Sequence, residues 1–216
     1  MRTEILFIDK DILVALKPPG VLSTDEPGGM PELLRAELND SAADIRTVHR
    51  LDRVVSGVMV FARSAAAASE LSRQVRENIF SKAYIAVVHS SPAEPEGVLR
   101  DLLRRDKRER KTYVVTEMDR DTRPAELRYR VLGSSGSLTL LRIHLITGRT
   151  HQIRAQFSSR GMPLAGDKKY STLPDYCPIA LWSERIGFLH PSSGAQVEFT
   201  HSPPEIFPWT EFSSCI

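Results

Sequence analysis

Cysteine is nearly absent from this 216-residue chain, which has only Cys177 and Cys215. They form no close pair of the kind that holds a metal, and Cys215 lies next to the C-terminus, so a reducing cytoplasm is the expected setting. Net charge is scarce as well. Lys+Arg 29 against Asp+Glu 27 leaves +2, so a polyanionic partner has to be argued from where the charges sit. No apolar run approaches the ~20 residues of a membrane helix. Asp9, Lys10 and Asp11 interrupt the apolar residues near the start, which excludes a signal peptide core. Repeats, low-complexity tracts and interdomain linkers are also missing. What remains is 41% hydrophobic, enough for a proper core, and the expectation is one domain over residues 1–216.

The pattern along the chain is strand-rich. Residues 4–8 and 12–16 read as strands joined by a short hairpin connection, and Lys17-Pro18-Pro19-Gly20 stops the second because proline removes a ladder donor. Pro31 opens a short helix with Leu33, Leu34 and Leu38 on one face. Residues 57–63 read as a buried strand. Ser64 suits an N-cap for a helix over residues 65–78, with Ala68, Leu71, Val75 and Ile79 as its apolar face. Strands follow over residues 83–88, 112–116, 125–132 and 137–145. Residues 91–97 read as a loop. A third helix spans residues 150–160 and stops at Gly161. Strands over residues 185–189 and 196–200 precede a proline-rich tail. Strands with inserted helices, not strictly alternating with them, give an α+β fold class.

Three segments concentrate chemistry. In Arg46-Thr47-Val48-His49-Arg50-Leu51-Asp52-Arg53, Asp52 lies among three arginines. If residues 49–52 are extended, Arg50 and Asp52 point to the same side. The positive field favours an ionised carboxylate, which can serve as nucleophile or base. A surface ion-pair cluster has the same composition. In the second segment, Thr147-Gly148-Arg149-Thr150 joins a strand to a helix and projects Arg149 from a rigid scaffold. A helix start with solvated arginines would look the same. The third, residues 100–111, holds seven basic residues against three acidic ones. That excess of +4 is twice the chain's net charge. Placed in a loop or at a strand edge, Arg105, Arg108 and their neighbours would track phosphates with salt-dependent affinity; otherwise they are a solvated charged loop. Tyr84 opens a strand and as a bare residue reads as core. No His-Glu-x-x-His or paired-cysteine pattern points to a metal, and no Gly-x-Ser-x-Gly elbow points to a serine hydrolase.

Taken together and in order, these segments resemble the RluA family of pseudouridine synthases, as a stand-alone catalytic domain without an S4 module. Lys17-Pro18-Pro19-Gly20 matches the family's early motif, and His49-Arg50-Leu51-Asp52 with Ser56-Gly57 its catalytic motif. Lys82-Ala83-Tyr84 resembles the tyrosine motif. Thr147–Arg154 matches the arginine motif, continued by Gly166-Asp167-Lys168-Lys169-Tyr170. His190-Pro191-Ser192-Ser193-Gly194 resembles the late turn. Two positions depart from the pattern: Val55 stands where the family has threonine, and Ala180-Leu181-Trp182 lacks a histidine often found there.

The resemblance implies a mixed, largely antiparallel sheet bent around a central cleft, with helices outside. It implies no metal and no organic cofactor. The expectation is a monomer with no obligate protein partner and no membrane, acting on tRNA or large-subunit rRNA in the cytoplasm. A uridine would be flipped from its stack. Asp52 would be the essential carboxylate while uracil detaches, rotates and rejoins through C5. Arg149 would pair with Asp52, Tyr84 would stack on the base, and Arg50 would fill the gap that the base leaves. Two other readings compete: a non-catalytic RNA-binding or RNA-folding protein on the same scaffold, and an unrelated hydrolase using Asp52 and a histidine.

Overall fold

The structure is a computed structural model that describes residues 3–216. Two compact units divide the chain: residues up to Lys82 together with Ser183–His201, and Ala83–Trp182 together with Ser202–Ile216. No helix among the described residues is long and apolar enough to cross a membrane.

The first unit begins with the expected hairpin, β1 (Ile5–Ile8) and β2 (Ile12–Lys17). Asp9 closes its turn, with Oδ1 accepting from the amides of Asp11 and Ile12 at 2.8 Å each. β2 pairs antiparallel with β4 (Ser56–Ala62), from Ile12 opposite Ala62 to Lys17 opposite Gly57. The short β3 (Arg46–Thr47) pairs with the far end of β4. β10 (Leu181–Leu189) lies beside β4, and β11 (Gln196–Thr200) closes the row antiparallel to β10. Ile12, Leu13, Val14 and Ala15 are all fully buried. Both faces of β2 are therefore covered, which is why its sequence is a continuous apolar run and not an alternation. The same reason hid the start of β10, which begins at Leu181 and not at Arg185: Leu181, Trp182 and Ser183 are all buried.

α1 (Met30–Glu37) starts at Pro31's turn as expected. α2 (Ala65–Arg76) is capped by Ser64, whose Oγ accepts from Ala67 N at 3.1 Å. Of its expected face, Leu71 is buried and Ala68 and Val75 pack half-buried against the core, with Ala67 and Gln74 buried beside them. Gln74 turns inward because it exchanges two hydrogen bonds with the backbone of Leu189, both 2.8 Å. Ile79 lies past the helix end and is exposed, and Phe80 takes its place, stacked at 5.3 Å on Phe188. The late turn is a pin within this unit. His190 Nε2 meets Asp9 Oδ2 at 2.8 Å, and Ser192 Oγ donates to Asp11 Oδ2 at 2.6 Å.

In the second unit, β5 (Ser81–His89), β9 (Leu138–Leu145), β8 (Thr122–Ser135), β6 (Glu96–Asp106) and β7 (Lys111–Val115) stand in that spatial order with antiparallel ladders. α3 (Gln152–Ser158) packs its Ala155 against Leu103 and Ala125, and Phe157 edge-on to Tyr129 at 5.8 Å. Gly161 follows in the left-handed conformation, as its place after a helix requires. β6 corrects the sequence reading. The basic stretch, expected in a loop or at a strand edge, runs through an eleven-residue strand between β8 and β7, and only residues 107–110 form a turn to β7. Leu99 and Leu103 are buried while Arg100, Arg104 and Arg105 are exposed. So charged a strand carries little apolar periodicity, and its long pairing with β8 supplies what its own pattern lacks.

Candidate active site

Residues 48–52 are irregular and not a strand, yet burial alternates through them: His49 and Leu51 are buried, Arg50 is exposed and Asp52 is half-buried. Each inward residue is tied down. His49 Nε2 accepts from Val60 N at 3.1 Å, with its ring 5.2 Å from that of Phe80. Burial, reinforced by the charge of Lys82, holds the imidazole well below its ordinary value. A neutral ring whose Nε2 already accepts a hydrogen bond is a structural anchor, which removes His49 from the hydrolase reading. Ser23 grips Leu51 twice: Oγ donates to Leu51 O at 2.9 Å and accepts from Leu51 N at 3.1 Å.

Asp52 opens a tight turn, closed by Val55 N donating to Asp52 O at 3.0 Å. The Lys17–Gly20 loop cradles this turn. Gly20 N donates to Arg53 O at 2.8 Å, and Arg53 Nε returns a bond to Gly20 O at 2.8 Å. Lys17 is fully buried, and its ammonium donates to the carbonyls of Pro18, Arg53 and Val55 at 2.9, 3.0 and 2.7 Å. All three of its donors are therefore used. Burial pushes Lys17 down to about 8, while the neighbouring Asp52 carboxylate acts in the opposite direction. A buried cation beneath the turn thus fixes the carbonyls of Arg53 and Val55 and sets a positive charge near Asp52. Gly57 completes the support. At φ +120°, a Cβ there would lie 2.4 Å from Ser183 O, so only glycine lets β4 approach β10 this closely. Val55, one of the two departures from the family pattern, is buried, and its carbonyl holds Lys17.

The second unit holds the other two expected groups. Tyr84 sits in β5 opposite Ile143 of β9 and is 5% exposed. Arg149 stands in a loop built by Gln152 and Glu126. Gln152 Oε1 accepts from Arg149 N and Thr147 Oγ1, each at 2.9 Å, and Gln152 Nε2 donates to Glu126 O at 3.1 Å. Arg149 Nε donates to Pro124 O at 2.9 Å. Below this loop, Arg154 makes a buried two-pronged pair with Asp167, both contacts 2.7 Å. Tyr170 bridges further: its hydroxyl accepts from Thr112 N at 2.7 Å, donates to Thr112 O at 3.0 Å, and meets His151 Nδ1 at 2.9 Å.

Beside Arg149 the second unit forms a pocket of about 150 Å³, lined by Arg105, Thr112, Asp121, Arg123, Arg149 and Thr150. The structure thus brings Arg105, singled out for RNA contact, into one pocket with Arg149. Arg108 sits apart in the β6–β7 turn, and Arg50 is exposed in the first unit. Sequence reasoning missed Lys17 as an individual group, along with Ser23, Arg123 and the Arg154–Asp167 pair. Lys17 and Asp167 were inside recognised motifs, so the signal was present without a role. Ser23 and Arg123 carried none.

The profile of the RNA pseudouridylate synthase family matches residues 11–159. An uncharacterised RNA pseudouridine synthase of Bacillus subtilis is 34% identical over 216 residues, covering 95% of this chain and 70% of the relative. The dual-specificity RNA pseudouridine synthase RluA of Yersinia pestis is 36% identical over 205 residues, covering 90% and 96%. Among solved structures, human RNA pseudouridylate synthase domain containing 4 superimposes with a TM-score of 0.79 at 25% identity, covering 94% of this chain and 90% of that one. The α+β fold, the order of the motifs and these relatives agree: the chain belongs to the RNA pseudouridylate synthase family, isomerases that act on RNA.

Proposed function

We propose that this protein converts particular uridines of tRNA or large-subunit rRNA to pseudouridine, acting as a monomer in the cytoplasm with Asp52 as its essential carboxylate. The observation that carries the reading is the construction around Asp52. A buried lysine, a buried serine and a glycine loop all spend their hydrogen bonds on the backbone flanking one half-buried aspartate. Ordinary surface ion pairs receive no such support. In the isomerisation the N1–C1′ bond breaks, the uracil turns, and C5 joins C1′. The C5 proton is lost and N1 gains one, so the atoms balance with no cofactor. The uridine must leave its stack to expose that bond. Asp52 supplies the carboxylate, Tyr84 an aromatic ring for the base, and Arg149 a guanidinium that favours the ionised carboxylate. Arg50 occupies the space that the base vacates, and Arg105 and Arg108 contact phosphates.

The test is a comparison of tRNA and rRNA from cells with and without the gene, read by carbodiimide-dependent stops of reverse transcription. The reading predicts stops at one or a few uridines that vanish with the gene. Identical maps would overturn it in favour of a non-catalytic RNA-binding role.

A further inference from the structure

The pocket beside Arg149 gathers like charge without neutralising it. Arg105, Arg123 and Arg149 all line it, against the single carboxylate of Asp121. Three positive charges against one negative leave an excess of two. The arginines are held by neutral groups instead. Arg123 donates to the carbonyls of Arg120 and Thr122 at 2.7 Å each, and Arg149 to the carbonyl of Pro124. Backbone carbonyls aim a guanidinium but leave its full charge in place. Converging cations repel one another, and that cost is recovered only when an anion enters.

Three guanidinium groups are a donor set for a tetrahedral oxyanion. Arginine matches phosphate oxygens with paired N–H donors, and the pocket has room for one such group.

We infer that this pocket is a phosphate site that takes one phosphodiester of the RNA, with Arg123 as a binding residue beside Arg105 and Arg149. The assignment to RNA rests on the proposed function, whereas the phosphate chemistry does not.

The experiment compares wild-type protein with Arg123→Gln and Arg123→Lys. Arg123 is exposed, so both variants keep the fold, which circular dichroism verifies. Binding of an unmodified tRNA transcript is measured across a salt series, and again with inorganic phosphate replacing chloride at equal ionic strength. The site predicts that Arg123→Gln lowers the slope of log Kd against log salt by about one and weakens binding about tenfold. Arg123→Lys restores the slope but not the full affinity, because it keeps the charge and loses the fork. Phosphate competes with the transcript for wild type more strongly than chloride does, and that excess disappears in Arg123→Gln. An unchanged slope in Arg123→Gln overturns the RNA assignment, and if phosphate still competes, the pocket serves a small free anion. No phosphate-specific competition at all overturns the phosphate site. Because these readouts need no uridine conversion, a protein that binds in this way and converts nothing would refute the proposed function and leave the site standing.

Discussion

Lys17→Met is the perturbation that reports most on how the structure supports Asp52. Lys17 is fully buried, and burial lowers it from 10.5 to about 8. In the unfolded chain it titrates near 10.5. Between these values the unfolded chain holds a proton that the folded chain lacks, so unfolding takes up a proton and stability rises with pH. Below pH 8 both states are protonated and the contribution is at its lowest; above 10.5 both are neutral and it levels off. A difference of two and a half pH units corresponds to about 3 kcal/mol at 1.36 kcal/mol per unit. At neutral pH the variant removes a costly buried charge. It also strips a donor from the carbonyls of Pro18 and Val55, worth ~1–3 kcal/mol each, while Arg53 O keeps Gly20 N. These effects oppose each other at similar size, so absolute stability near pH 7 is a poor readout and the pH slope is the sharp one. Urea unfolding of both proteins between pH 7.5 and 10.5 is the assay. Wild type should gain about 3 kcal/mol relative to Lys17→Met across that range. Parallel curves would refute the buried, charge-bearing role of Lys17.

Two further outcomes follow from the second unit. Arg154→Ala leaves Asp167 as an uncompensated buried charge and should cost ~3–5 kcal/mol in urea unfolding, with Arg154→Lys in between; a loss below ~1 kcal/mol would show that the pair adds nothing. Replacing Arg105 and Arg108 together by Gln should weaken RNA binding and reduce its salt slope by about two, one for each phosphate contact. An unchanged slope would remove both from the RNA surface.

How much of this was legible in the sequence depends on where each signal resides. Local chemistry was readable. Ser64 caps α2 and Gly161 follows α3 as their types dictate, and β11 has the expected bounds because Gln196–Thr200 alternates cleanly at a half-solvated edge. The motif order placed Asp52, Tyr84 and Arg149 on a fold whose family the relatives share. Elements stabilised from outside their own segment were not readable. β6 is held by its ladder with β8 and carries arginines where a strand is expected to alternate. Gln74 is buried because Leu189, far along the chain, offers both backbone groups. Lys17 illustrates the same limit at the site. Its place in a Lys-Pro-x-Gly motif is visible, but that it lies under the Asp52 turn depends on three carbonyls, two of them more than thirty residues away. The pocket beside Arg149 likewise joins residues from β6, β7 and β8 and the loops around them, and no single window of sequence contains it.

The central claim is that Asp52 is essential to isomerising uridine. Its most direct measurement is release of tritium from RNA transcribed with 5-tritiated uridine, because forming the C5–C1′ bond expels the C5 hydrogen whereas hydrolysis leaves it in place. Wild-type protein should release tritium from a tRNA or large-subunit rRNA transcript. Asp52→Asn should release none above the enzyme-free background while keeping the wild-type circular dichroism spectrum and RNA affinity. Release by Asp52→Asn at the wild-type rate, or loss of its fold, would contradict the account.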